Sequence, residues 1–189
     1  MTKLNQLYIS GMRVFNTDDL SVLWGQDKRT DTVQSVKKYT KDGKVFRLRR
    51  GLYALDAESA TEGEVANKAL APSYVTGQTV LAKHGSTFQV TGTVHSAALE
   101  TKKITVVDTI FQYHTLRPDI FFNSDGVEKI DGVNIATLER AIVDLVYYSR
   151  GKYQFEDVEK VNWSKMKKLA KNYNKTTEKR IKEMEAKWR

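Results

Sequence analysis

The sequence contains no cysteine, which excludes a disulfide framework and any thiolate metal site and removes the usual argument for an oxidising compartment. No stretch approaches the ~18 apolar residues that a membrane span needs. The N-terminus shows no basic head followed by an apolar run of leader length. Internal repeats and low-complexity tracts are missing as well. Together these absences set the expectation of a soluble, cytoplasmic protein without membrane attachment.

Catalytic signatures are equally sparse. The chain has no G-x-S-x-G, Walker A or H-E-x-x-H pattern. His84, His95 and His114 fall on separate elements without ligand spacing, which argues against a metal site. Gly85-Ser86 resembles the Gly-Ser that opens a nucleotidyltransferase site, yet the following "TFQVTGTVHSAA" holds neither of the carboxylates such a site needs. Glu139 and Asp144 project about 140° apart on a helix, too divergent for an acid–base pair. Glu139 with Arg140, and Asp144 with Tyr148, are read instead as surface or interface contacts. The chain is therefore expected to have no catalytic residue, metal or cofactor, and not to be an enzyme.

What the sequence does hold is a sufficient core and an uneven charge. At 189 residues, 40% apolar, with three Trp and nine Tyr, it can build one large domain or two small ones. Residues 1–56 carry 11 Lys+Arg against 6 Asp+Glu, residues 57–150 carry 8 against 11, and residues 151–189 carry 12 against 6. Two basic ends flank an acidic middle, a distribution that suits polyanion binding through counterion release.

Position sharpens that reading. "TKLNQLYIS" is a weak helical pattern, with Leu4, Leu7 and Tyr8 on one side. In "VFNTDDLSVLWG", Asn16 caps a helix with Asp18 and Asp19 in its first turn, Leu20, Leu23 and Trp24 on its inner stripe and Gly25 at its end. A third helix over residues 30–41 has Val33 and Val36 on a narrow apolar seam continued by Tyr39 or Thr40, and Gly43 stops it. Then "VFRLRRGLYAL" reads as strand, tight turn and strand. Three helices and a hairpin make the order of a winged helix-turn-helix over residues 1–57, and "DAESATEGE" is a linker.

A helix fits the major groove, where Gln and Ser pair with base edges and Lys meets phosphates. Thr30, Thr32, Gln34, Ser35, Lys37, Lys38 and Lys41 are the candidate DNA contacts of the third helix; Arg47, Arg49 and Arg50 are those of the hairpin. The competing readings are a solvated surface helix and an arginine-protected hairpin edge.

Residues 58–189 read as a mixed α+β second domain with a core to about residue 151. Short helices are expected in "EVANKAL" and "GQTVLAKHG", and strands in "FQVTGTV", "ITVV" and "IFQYHTL". The last two strands join at Asp108-Thr109. "ATLERAIVDLVYYSRG" is the strongest helix, and "FEDVEKV", "SKMKKLAKNY" and "TTEKRIKEMEAKW" follow as three more. The last two are strongly basic; Lys165, Lys167, Lys168, Lys171, Lys179 and Arg180 form a candidate second surface, for DNA or an acidic protein partner, or more weakly for a membrane face.

The blocks "FNTDDLSVLWG", "VFRLRRGLYAL", "NKALAPSYVTGQTVLAKHG", "IFQYHTLRPDIFF" and "IATLERAIVDLVYYSRG", in this order, resemble the AbiEi family of antitoxins over nearly the whole chain. Glu139-Arg140 stands where that family's pattern has Glu-Lys. The resemblance implies an antitoxin of a type IV toxin–antitoxin system, linked to abortive infection by phage. Its winged helix would repress transcription by binding inverted repeats in its own promoter, as a monomer or dimer. Its C-terminal domain would neutralise a nucleotidyltransferase-like toxin. The alternative is a stand-alone winged-helix regulator whose second domain senses a ligand or a protein.

Overall fold

The computed structural model describes residues 1–56, 58–87 and 92–188, and it is an α+β protein. The chain divides into two compact units, Met1–Ala69 and Leu70–Arg189.

The first unit runs α1 (Lys3–Ile9), β1 (Val14–Asn16), α2 (Thr17–Trp24), α3 (Arg29–Lys41), β2 (Phe46–Arg49), β3 (Leu52–Ala54) and α4 (Glu62–Ala69). Asn16 starts α2 as expected: its side chain accepts from the Asp18 and Asp19 amides, and the Asp19 carboxylate accepts from the Asn16 amide, a reciprocal capping box. Gly25 closes the helix in the left-handed conformation that a Cβ disfavours. β1, which the sequence pattern leaves unassigned, pairs with β3, and β3 pairs with β2, all antiparallel. Leu7, Phe15, Leu20, Trp24, Val36, Val45 and Tyr53 form the core between helices and sheet. α4, expected in the second domain, belongs to this unit. Glu64 pairs with Arg13 at 2.8 Å, and Lys68 with Asp19 at 2.8 Å.

The second unit contains β4 (Ser73–Val75), α5 (Gln78–Lys83), β5 (Thr93–Ala98), β6 (Lys102–Val106), β7 (Thr109–Thr115), α6 (Pro118–Phe121), β8 (Val127–Ile130), β9 (Val133–Ala136), α7 (Leu138–Tyr148), α8 (Trp163–Ala170) and α9 (Lys175–Trp188). Its sheet has the order β6-β7-β5-β4-β9-β8, with β5/β7 and β4/β9 parallel and the remaining pairs antiparallel. The β6–β7 turn lies at Val107-Asp108, because Val106 pairs with Thr109; this is one residue earlier than expected. Of the expected strand "FQVTGTV", residues 88–91 lie outside the described residues.

"FEDVEKV" is not helical. Val158 and Val161 are buried three residues apart, which mimics a helical stripe, but the Asp157 carboxylate accepts from the Glu159 amide at 2.8 Å and turns the chain locally. α7 is the unit's central helix, and every residue from Leu138 to Val146 is buried. Among the described residues no helix is long and apolar enough to cross a membrane.

Candidate functional site

α3 packs on the first unit's core through Thr32, Val36 and Tyr39, whose i, i+4, i+7 spacing places them on one side. Thr32 is fully buried, and its hydroxyl shares a 2.9 Å hydrogen bond with the Ser21 hydroxyl. A side chain turned inward cannot reach DNA, so Thr32 leaves the expected contact set. Ser35 is half-buried on the flank facing α1 and accepts from Lys3 Nζ at 2.8 Å. Thr30, Gln34, Lys37, Lys38 and Lys41 are exposed. Val33, expected in the apolar seam, is 40% exposed and stands among them.

The hairpin closes through the Arg49–Leu52 pair, which leaves Arg50 and Gly51 as its tip. Gly51 has φ +79, a conformation costly for residues with a Cβ, and its carbonyl accepts from the Thr17 amide at 3.1 Å. That bond anchors the tip to the start of α2. Arg47 and Arg50 are exposed, whereas Arg49 is half-buried.

Between α3 and this hairpin lies a groove of about 550 Å³. Arg29, Lys37, Lys41, Arg47 and Arg50 supply its rim, with Val33, Thr40, Tyr53, Thr17 and Gly51 between them. No carboxylate is present among the described residues that line it. Arg29 pairs with the exposed Asp18 at 2.6 Å; Lys37, Lys41, Arg47 and Arg50 form no ion pair among the described residues. An open concavity ringed by cations, with carbon surface between them, is suited to a polyanion that also offers apolar or planar groups. Arg29 and Val33 were not anticipated here, although the 29-33-37-41 row, every fourth residue along one helix face, is the signal that identifies them.

The second basic surface is less uniform. Lys167, Lys168 and Lys171 share a groove of about 360 Å³ with Ser164, Glu178 and Lys182. Lys165, Lys179 and Arg180 do not line it. Lys165 reaches Glu139 at 3.5 Å, Lys167 reaches Glu185 at 2.9 Å, and Lys179 and Arg180 both approach Glu183, so much of this charge is locally compensated.

The strongest helix carries a buried polar hub instead of the surface contacts expected of it. Arg140 and Asp144, 1% and 0% exposed, pair at 3.2 Å. The Arg140 guanidinium donates further to the carbonyls of Ile120, Asn123 and Asp125 and to the Tyr74 hydroxyl. Asp144 accepts from Arg140 and from the hydroxyls of Tyr74, Thr76 and Tyr173. Burial acts to lower the Arg140 pKa, but the Asp144 carboxylate and the two tyrosines outweigh it and hold the pKa above the usual range. Burial, then the Asp144 charge, pushes the Tyr74 and Tyr173 hydroxyls well upward. Each Asp144 oxygen accepts two of these bonds, so the network is saturated at the carboxylate.

His95 Nδ1 and His114 Nε2 lie 3.0 Å apart, so two of the three histidines meet despite their separation in sequence. No group of three or more His, Cys, Asp or Glu is placed to hold a metal ion among the described residues. Ser86 is buried. The cationic groove of the first unit is where the candidate residues of α3 and the hairpin converge. A scan against protein-family models and a search of curated proteins gave no match to the chain.

Proposed function

We propose that the first unit is a winged helix-turn-helix that binds duplex DNA, with α3 as its recognition helix and the β2–β3 hairpin as its wing. The observation that carries this reading is the groove: a row of cations on α3 faces Arg47 and Arg50 across carbon surface, and no carboxylate opposes them. Capped helices, a third helix with a polar outer face and a hairpin whose tip is anchored to the start of α2 supply the order that this motif uses. The exposed arc of Thr30, Gln34, Lys37, Lys38 and Lys41 meets base edges and phosphates, and Arg47 and Arg50 meet the adjoining backbone.

With the sequence resemblance to AbiEi antitoxins, the whole chain is then an autoregulating antitoxin. It represses its own promoter at inverted repeats and neutralises a nucleotidyltransferase-like toxin through the second unit, in the cytoplasm. The test is binding of the full chain to its upstream DNA across a salt series. Replacing Arg47 and Arg50 by Ala should weaken binding to all duplexes similarly and flatten the log K against log salt slope by about 1 to 2 units. An unchanged slope removes the hairpin from the interface. Co-expression with a nucleotidyltransferase-like toxin, scored by growth, tests neutralisation separately.

A further inference from the structure

We infer that Val33 is a specificity residue that reads the C5-methyl group of one thymine in the major groove. The inference rests on the DNA-binding reading and names a base that the reading leaves open.

Val33 breaks the pattern of its helix. The core-facing side of α3 is complete without it, since Thr32 and Val36 are fully buried and Tyr39 packs beside them. Val33 instead lies 40% exposed, between Arg29 and Lys37 on the row that faces the hairpin, with Thr30 and Gln34 exposed beside it. A β-branched side chain has one strongly preferred rotamer in a helix, so its two methyl groups are held in place before any ligand arrives.

The position suits base contact better than backbone contact. Val33 lies in the first half of α3, and the N-terminal half of a recognition helix approaches base edges. The cations one turn to either side, Arg29 and Lys37, can take phosphates and so bring the residue between them to the groove floor. On that floor the thymine methyl is the one projecting apolar group, since the remaining groups are hydrogen-bond donors and acceptors or the flush C5–H of cytosine. Valine has no means of satisfying the donors and acceptors. Burying one methyl against another removes apolar surface worth roughly a fourfold change in affinity.

The experiment uses the full-length chain and a duplex selected by it from a randomised library. Each thymine is replaced in turn by deoxyuridine, which exchanges only the methyl for hydrogen, and affinities are read by fluorescence anisotropy for the wild type, Val33→Ala and Val33→Thr. The wild type should lose roughly fourfold at one thymine per half-site. Val33→Ala should lose most of its discrimination at that position and Val33→Thr, which keeps one γ-methyl, should lose part of it, while both keep the response at every other thymine. Val33→Thr, which preserves shape and helix packing, covers the case in which Val33→Ala perturbs the fold. A wild type indifferent to every deoxyuridine, or variants weakened equally on methylated and unmethylated duplexes, would overturn the inference while leaving DNA binding intact. A wild type that binds no duplex in a salt-dependent way overturns the DNA reading and this inference with it.

Discussion

Asp144 shows how far one side chain can differ from its appearance in sequence. Its spacing of four from Arg140 was visible, but the burial that gives the pair its weight was not. Its partners Tyr74 and Thr76 lie 70 and 68 positions away, and Tyr173 lies 29 away. Local pattern carries no such information, so Arg140 was matched with Glu139 and Asp144 with Tyr148, as surface or interface contacts, and not with each other. Because the hub is saturated, removing one member leaves charge or hydroxyls without partners in a dry interior. Asp144→Ala should cost about 3–5 kcal/mol of stability, since it strands the Arg140 guanidinium without its counter-ion. Urea unfolding followed by circular dichroism measures this; a loss under 1 kcal/mol would mean that solvent reaches the hub. Thr32 and Val33 teach the same lesson at adjacent positions. Polarity placed Thr32 outside and apolarity placed Val33 inside, and tertiary packing reversed both.

At the scale of elements, legibility followed the locality of the forces. The start of α2 was readable because a capping box needs only Asn16 and Asp19, three residues apart. Helix ends marked by glycine were readable for the same reason, as Gly25, Gly43, Gly85 and Gly151 all adopt positive φ. Strands β1 and β4, each of three residues, are too short to show alternation and exist because distant partners pair with them, whereas β3 is equally short but legible as the second arm of the hairpin. The groove was half legible: the hairpin arginines and α3 lysines were named from sequence, but their convergence depends on Gly51 bonding back to Thr17. That dependence gives the α2 cap a second role, since it fixes the residue preceding Thr17. Asn16→Ala should lower stability by about 1 kcal/mol, and replacement by Asp, which also caps, should restore most of it. Thermal melts of the three proteins decide the matter: equal midpoints for wild type and Asn16→Ala would mean that the bonds made by the Asn16 side chain at this helix start are supplied equally well by water.

Across the whole molecule, the order of motifs and the linker set the expectation of two domains divided after residue 57, whereas the chain divides after Ala69, because α4 is held to the first unit by ion pairs from Glu64 and Lys68 that bridge about fifty residues. The histidine pair spans 19 residues, joining β5 to β7, and it makes stability depend on pH. His114 lies face to face with Tyr148 at 3.8 Å and hydrogen-bonds to His95. Burial, then the neighbouring His95, lowers its pKa to about 4, and burial alone lowers that of His95. Below about 6.5 the folded rings therefore hold fewer protons than the unfolded chain does. The unfolded state then binds more protons, so the stability these rings contribute is fully present above pH 6.5 and drains away as pH falls toward 4. Carboxylates titrate over part of the same range, so the histidine contribution must be isolated by difference. Glutamine cannot take up the proton, and His114→Gln should flatten the fall in Tm between pH 6.5 and 4.5 relative to wild type. Proton NMR of the folded chain supplies the direct check: a His114 ring titrating near 6.5 would show that the pair is open to water, and the variant's melting curve should then run parallel to that of the wild type.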